Sequence, residues 1–509
     1  MLKRSGLISW TAIAGVAAGV VIGLLLTVGE SAAQYSCGPP PKAKPKRRTG
    51  GESFPPLPLP ATPLRRSEQK REPAPPALIG KVAYTPAKWV TKGGKRYLFR
   101  DWTTDPADIT SLLSWTNAQL GIRFRPMHTE PGKFSYDPAE MPVLYFTGHE
   151  GFSLKPEHLA SIKRYVLDGG YVLGDPCCGS PSFYASFRKM VMTLFPKREI
   201  FRLPDDHPVY SAFYRVRTVQ YRDEKKGDIT GPPVMYGVNI GCRTAVLFWP
   251  ADLSCGWDGH THKRGSRVLP GHARQLGANV ITYVLANYQL GRFLASEKVY
   301  YEAGEHTRDE FVFAQIKHDG DWDPSPSAVM NLLKYAAKNT TMEVQFKRAV
   351  VDLRTVDAFV HPLLYMTGHR DFRLTDEEVK RLRAYLTSGG ILLADACCGR
   401  QGFDAAVRRE LQRVFPEKPL ALLPADHALY SSRYKVRTVR YSDLVLQKSP
   451  GLNTPTMEGI TYNGQLVVIY SKLGLGSVWD EYERPYARSY TPPDALKMGV
   501  NVLVYAMTH

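Results

Sequence analysis

Two adjacent cysteine pairs each stand between an aspartate and a glycine, in Asp175-Pro-Cys177-Cys178-Gly179 and Asp395-Ala-Cys397-Cys398-Gly399. A cysteine on a tight turn from a strand into a helix exposes its thiol and aims the following backbone N–H groups at a developing oxyanion. The helix N-terminus lowers the thiol's pKa as well. Such a nucleophile, Cys177 or Cys397, needs a base: His149 or His207 for the first, His369 or His427 for the second. No His-x-Glu or His-x-Asp pair stands in the tail of either half to complete an amidase triad. The alternative role for these thiols is to fill the strand–helix corner as small buried hydrophobes, with the histidines tying loops down.

Two further chemistries use the same residue types. His149, Asp175, Cys177, Asp206 and His207 are metal-ligand types, and Trp257-Asp258-Gly-His260-Thr-His262 adds two more histidines. No pair of them stands at a diagnostic spacing, and the second half has Tyr482 and Arg484 where the first has His260 and His262. Disulfides are the other chemistry. Neighbouring Cα atoms lie about 3.8 Å apart, below the roughly 4.4 Å at which disulfides begin, so a Cys177–Cys178 bridge would be strained. Cys242 and Cys255 occur only in the first half, flank a strand and are the expected bridge, which leaves Cys37 alone. Asp175, Asp206 and Asp258, with Asp395, Asp426 and Asp480 opposite them, are candidates for lining a ligand cleft.

An internal repeat must position these residues. From Asp101-Trp102 and Asp321-Trp322 a constant offset of 220 runs without a gap to Tyr221 and Tyr441. It superposes Tyr145-Phe-Thr-Gly-His149 on Tyr365-Met-Thr-Gly-His369, and Leu203-Pro-Asp-Asp-His207 on Leu423-Pro-Ala-Asp-His427. The tail shifts to 222, pairing Trp257-Asp258 with Trp479-Asp480. Units of this size are duplicated domains, not solenoid repeats. Within each, short apolar runs alternate with helical patterns. Tyr97–Arg100 and Phe311–Ile316 read as first strands, Asp105–Leu120 and Ser325–Lys338 as helices. Pro142–Thr147, Tyr171–Gly174, Pro362–Thr367 and Ile391–Ala394 read as strands, with helices at Lys155–Leu167, Ser182–Phe195, Thr375–Leu386 and Phe403–Phe415. Hairpins follow at Val234–Asn239 with Thr244–Trp249 and at Thr456–Tyr462 with Leu466–Tyr470, and helices at Ala273–Tyr288 and Ala495–Met507 close the units. Such alternation predicts an α/β fold: two tandem flavodoxin-like domains, each a mainly parallel sheet with helices on both faces plus a β-hairpin. Ligands of such sheets collect beyond the strands' carboxyl ends, where Thr147-Gly-His149 and Asp175-Pro-Cys-Cys-Gly179 both fall.

The N-terminus carries Lys3 and Arg4, an uncharged stretch from Leu7 to Val28, and Ser31-Ala-Ala33 before Gln34. This is a secretory signal cleaved after Ala33, or, given its length, a retained membrane anchor; both predict an exported, cell-envelope protein. Cys37 to Pro76 holds 12 Pro and a basic run, Lys42-Ala-Lys44-Pro-Lys46-Arg47-Arg48, and reads as an extended linker. The organisation is then 1–33 signal or anchor, 34–80 linker, 81–297 first domain and 298–509 second domain. The 509 residues carry a net charge of +18, of which residues 1–80 supply +7, from 11 Lys and Arg against 4 acidic residues. The basicity therefore belongs partly to a tether beside a membrane, and no nucleic-acid motif accompanies it.

The combination of Asp-Trp, Leu-Tyr-x-Thr-Gly-His, Gly-Gly before Asp-x-Cys-Cys-Gly, Leu-Pro-x-Asp-His and a closing Gly-x-Asn-Val resembles the bacterial family called domain of unknown function 4159, in two tandem copies over most of residues 95–290 and 310–509. The resemblance implies a fold like that of class I glutamine amidotransferases, whose nucleophile turn Gly-x-Cys-x-Gly is approached by Asp175–Gly179 and Asp395–Gly399. Glycine is replaced there by aspartate. The expectation is a non-catalytic module of the cell envelope that binds a small ligand or a protein partner, with no cofactor. A cysteine amidohydrolase and a metal-binding domain are the alternatives.

Overall fold

A computed structural model describes residues 75–260, 264–295 and 310–509. Residues 1–74, on which the expected signal or anchor, most of the expected linker and Cys37 fall, lie outside the described residues, as does His262. Among the described residues, no helix is long and apolar enough to cross a membrane.

Each unit is built on a seven-stranded sheet. In the first, the strands are β1 (Ala77–Val82), β2 (Arg125–Thr129), β3 (Val143–Gly148), β4 (Tyr171–Pro176), β5 (Phe201–Arg202), β6 (Tyr236–Ile240) and β7 (Arg243–Phe248). They lie in the order β2-β1-β3-β4-β7-β6-β5. The second unit has β8 (Phe311–Ile316), β9 (Val344–Val351), β10 (Leu363–Gly368), β11 (Ile391–Ala396), β12 (Ala421–Leu422), β13 (Glu458–Tyr462) and β14 (Gln465–Ser471), in the order β9-β8-β10-β11-β14-β13-β12. The order repeats strand for strand. The first five strands of each sheet are parallel, and the last two run as antiparallel pairs.

The apolar runs form strands because both sheet faces are covered. All six residues of β3, β4, β10 and β11 are buried. On one face of the first sheet Ile109, Leu112, Trp257 and Ile281 pack together, and on the other Ile162, Phe183, Phe187 and Val191. The helices Pro156–Leu167 and Asp376–Thr387 stop before Gly169 and Gly389, which take φ of 112° and 98°. Only glycine adopts such angles freely.

Two expectations change. The first strand of the first unit is Ala77–Val82, an inner strand paired on both sides with β2 and β3, so residues 77–80 belong to the domain and not to the linker. Their apolar run is wholly buried. The segment expected in that role, Tyr97–Arg100, falls instead on Lys95–Phe99, which pairs with Lys88–Lys92 in a separate ribbon and is mostly exposed.

The register positions the site. Gly148 lies opposite Pro176, and Gly368 opposite Ala396, so each histidine and each cysteine pair leave neighbouring parallel strands side by side.

Candidate functional site

In the second unit the turn after β11 places Cys398 at φ 55°, a left-handed conformation rare for any residue but glycine. Along a straight strand Cys397 and Cys398 would point to opposite faces. Bent this way, their sulfurs lie 3.8 Å apart. A third thiol comes from the first unit: Cys242, in the two-residue turn between β6 and β7, has its Sγ 3.6 Å from that of Cys397. His369 completes the group. The ligand atoms of Cys242, His369, Cys397 and Cys398 all lie within 4.8 Å of one another.

The surroundings of the group are ordered around it. His369 donates from Nδ1 to Asp321 Oδ2 at 2.8 Å, which leaves Nε2 buried and without a hydrogen-bond partner. Asp321 sits at φ 65° and also accepts from Asn239 Nδ2 of the first unit, at 3.3 Å. Burial works against the charged imidazole, but Asp321 and the Cys242 thiol outweigh it and push His369 up to about 9. Cys398 is held well below the usual thiol range by hydrogen bonds from Cys242 and Cys397, helped by the Arg484 and Arg400 charges. Burial pushes Cys397 up. Arg484 is itself buried, bonded to Asp480 and Ser325 at 3.0 Å each.

The first unit repeats the paired-cysteine turn, with a different third thiol and a carboxylate in place of the histidine. Cys178 has φ 56°. Cys177, Cys178, Cys255 and the Asp252 carboxylate lie within 4.8 Å of one another. Asp252 accepts from the backbone N–H of Cys178 at 2.5 Å and of Cys255 at 3.1 Å, fixing both turns. His149 is half-buried, with both ring nitrogens shut away from water. Burial lowers its pKa, but the Cys177 and Cys178 thiols prevail and push it up to about 11. Beyond Cys255, Asp105 and His260 form a further group with it inside 4.8 Å. Asp105 is raised strongly by burial and by the neighbouring Asp258 carboxyl.

The structure thus joins Cys177 to His149 and Cys397 to His369, as expected of nucleophile and base, but encloses both thiols, which are 0% and 1% exposed. The other predicted residues lie elsewhere or do other work. His207 and His427 accept from the N–H groups of Val209 and Leu429 and cap short helical turns. Asp175 and Asp395 are wholly buried and bind loops, not a cleft: Asp395 accepts from Tyr365 and from the N–H groups of Leu475 and Gly476, Asp175 from Tyr145, Trp249, Leu253 and Ser254. Asp206 faces Arg488 at 4.0 Å, Asp426 is exposed, and Asp258 and Asp480 are buried. The Cys242–Cys255 bridge does not form, because each thiol enters a different cluster. No disulfide joins the described cysteines. Sequence reasoning missed Cys242 as a member of the second unit's group and Asp321 as the residue that orients His369. A signal for the first was present: Cys242 and Cys255 have Gly464 and Ser477 in the matching positions, so one unit holds four cysteines of the folded region and the other two.

Two hollows adjoin the second cluster. One of about 20 Å³ touches Cys242, His369, His207 and Arg400. That is room for a water and not for a substrate. A larger cleft of about 360 Å³ lies over Asp321 and Trp322, walled by Arg198, Glu199 and Arg370.

The sequence profile of the family described as Domain of unknown function (DUF4159) matches twice, at residues 91–285 and 312–507. No curated protein is similar enough to match. Among solved structures, the exo-beta-1,4-mannosidase Op5Man5 from Opitutaceae bacterium strain TAV5 aligns at 10% identity and a TM-score of 0.23, over 42% of this chain and 36% of that one. This chain therefore spans about a third of that enzyme's length, in an overlap too loose to carry an argument.

Proposed function

The chain belongs to the DUF4159 family in two copies, and we propose that it is an exported metalloprotein whose units each hold one divalent metal in a closed, non-catalytic centre of three thiolates, completed by His369 in the second unit and by the Asp252 carboxylate in the first. The observation that carries this reading is the group Cys242, His369, Cys397 and Cys398. Zinc–sulfur bonds of about 2.3 Å in a tetrahedron put neighbouring sulfurs about 3.8 Å apart. The separations here are 3.6 and 3.8 Å. A ligating histidine gives its other ring N–H to a carboxylate, as His369 does to Asp321. Three thiolates and one imidazole favour zinc among common divalent ions. With all four positions taken by protein, the metal holds structure and has no site for a reacting water.

A cysteine hydrolase finds less support. Its nucleophiles would be the enclosed Cys177 and Cys397, reached through a hollow of about 20 Å³ at the second site. On this reading the N-terminal segment, as signal or anchor, takes the centres to the cell envelope, where the basic linker would keep the domains near an anionic membrane surface. The cleft over Trp322 is then the place for a small ligand or an envelope partner.

Elemental analysis of the purified full-length protein tests the reading. Two zinc ions per chain are expected, and cobalt substitution should give the visible absorption of a tetrahedral thiolate complex. Metal-free protein with an unchanged fold would sink it. Rapid labelling of Cys177 and Cys397 by a thiol-reactive amide or ester probe would favour the hydrolase instead.

A further inference from the structure

We infer that the metal of the second unit is a clamp between the two units, a conclusion that rests on the metal reading above. Among the described residues, the second unit offers three ligands of its own to this group, His369, Cys397 and Cys398. Where the first unit has Cys255, its register position holds Ser477, whose Oγ is buried without a hydrogen-bond partner. The fourth ligand is donated across the interface by Cys242, whose sulfur also contacts Ser325 Oγ at 3.2 Å and the Pro324 carbonyl at 3.4 Å. Cys242 is carried on the turn between β6 and β7, and β7 pairs directly with β4 in the middle of the first sheet. The metal therefore ties one sheet to the strand ends of the other.

The repeat shows why the donation runs one way. The first unit has Cys255 and needs no borrowed thiol. The second unit's own hairpin tip is Asn463-Gly464, which carries no thiol and is exposed. Contacts around Cys242 hold the units in the orientation the metal requires. Arg370 pairs with Glu199 at 2.7 Å and lies 5.0 Å from the Phe201 ring centre, and Tyr486 stacks on Tyr283 with ring centres 5.8 Å apart. By linkage, whatever seats the tip strengthens metal binding, and metal binding seats the tip.

The test uses the full chain as wild type, Cys242→Ser, Cys255→Ser and the double variant Cys242→Ser/Ser477→Cys, reading zinc per chain and hydrogen exchange at the amides of residues 239–244. The wild type should bind two zinc ions, and chelation should speed exchange at the tip by at least about tenfold. Cys242→Ser should keep one zinc and a fast tip that no longer responds to chelator. Cys255→Ser should also lose one zinc, yet keep the protected tip. In the double variant Ser477→Cys should restore the second zinc from within the unit while the tip stays fast. Two zinc ions in Cys242→Ser, or a wild-type tip indifferent to chelator, would overturn the clamp and leave the metal reading standing. A Cys242–Cys397 disulfide in the peptide map of unreduced protein would also overturn it. No zinc in the wild type would overturn both.

Discussion

Cys178 and Cys398 hold φ angles of 56° and 55°, where an L-residue is strained by about 1–2 kcal/mol and glycine is not. Glycine would make the same turn more cheaply. A thiol retained at that cost, in both units, points to use of the sulfur. Asp321 adopts φ 65° at the other edge of the second site, where it aims His369. Changing Asp321 to Asn removes the charge that fixes the ring's tautomer while keeping its shape. Zinc affinity at the second site should then fall about 10- to 100-fold, with the first site unaffected, in a competition titration against a chromophoric chelator. Equal affinity in the variant would deny Asp321 its orienting role. At this scale the sequence was half legible. The strand ends put His149, one of two candidate bases, on the same sheet edge as Cys177, and His369 likewise with Cys397, but left His207 and His427 as alternatives. The partner of Cys242 was not legible, since it depends on how one sheet sits against the other and no local pattern encodes that.

The elements were more legible than the sites. Helices expected at Lys155–Leu167 and Ser182–Phe195 are found at Pro156–Leu167 and Pro181–Leu194. Apolar periodicity and glycine at the helix ends are local signals. Ala77–Val82 escaped notice because a short apolar run beside a proline-rich segment declares neither its period nor its partners. The loop after β8 yields a prediction of its own. His318 donates from Nε2 to the Thr367 carbonyl at 2.9 Å, and its Nδ1 accepts from the Gly320 N–H at 3.0 Å, so the neutral ring fits. Burial lowers its pKa to about 4, with Arg370 acting the same way and Thr367, Asp321 and Asp319 opposing them. The unfolded ring titrates near 6.5, so the stabilisation is whole above that pH and is lost as pH falls toward 4. Between pH 7 and pH 5 this amounts to about 2 kcal/mol. Denaturant unfolding at the two pH values should show a smaller loss, by that amount, in His318→Asn than in the wild type. An equal loss in both would remove His318 as the cause.

Across the whole molecule the two units are copies that differ where they meet. Unit one closes its own cluster with Cys255 and lends Cys242 to its neighbour, while the matching turn of unit two, Asn463-Gly464, is exposed and carries no thiol. Of the net charge of +18, residues 1–80 supply +7 and the rest of the chain +11. The duplication was plain in the sequence; its asymmetry appeared as two cysteines without counterparts and as Tyr482 and Arg484 where the first unit has His260 and His262. If the units meet in order to complete a metal site, weakening their contact far from the metal should weaken the metal. Tyr486 stacks on Tyr283 of the first unit at an interplanar angle of 20°. An aromatic pair of this kind contributes about 1 kcal/mol beyond its buried area. Tyr486→Ala should therefore lower the zinc affinity of the second site by about fivefold, through a lower effective concentration of Cys242, while the first site keeps its affinity. Losing affinity equally at both sites would mean general destabilisation of the fold. Losing none would mean that Cys242 reaches its partners without help from the interface.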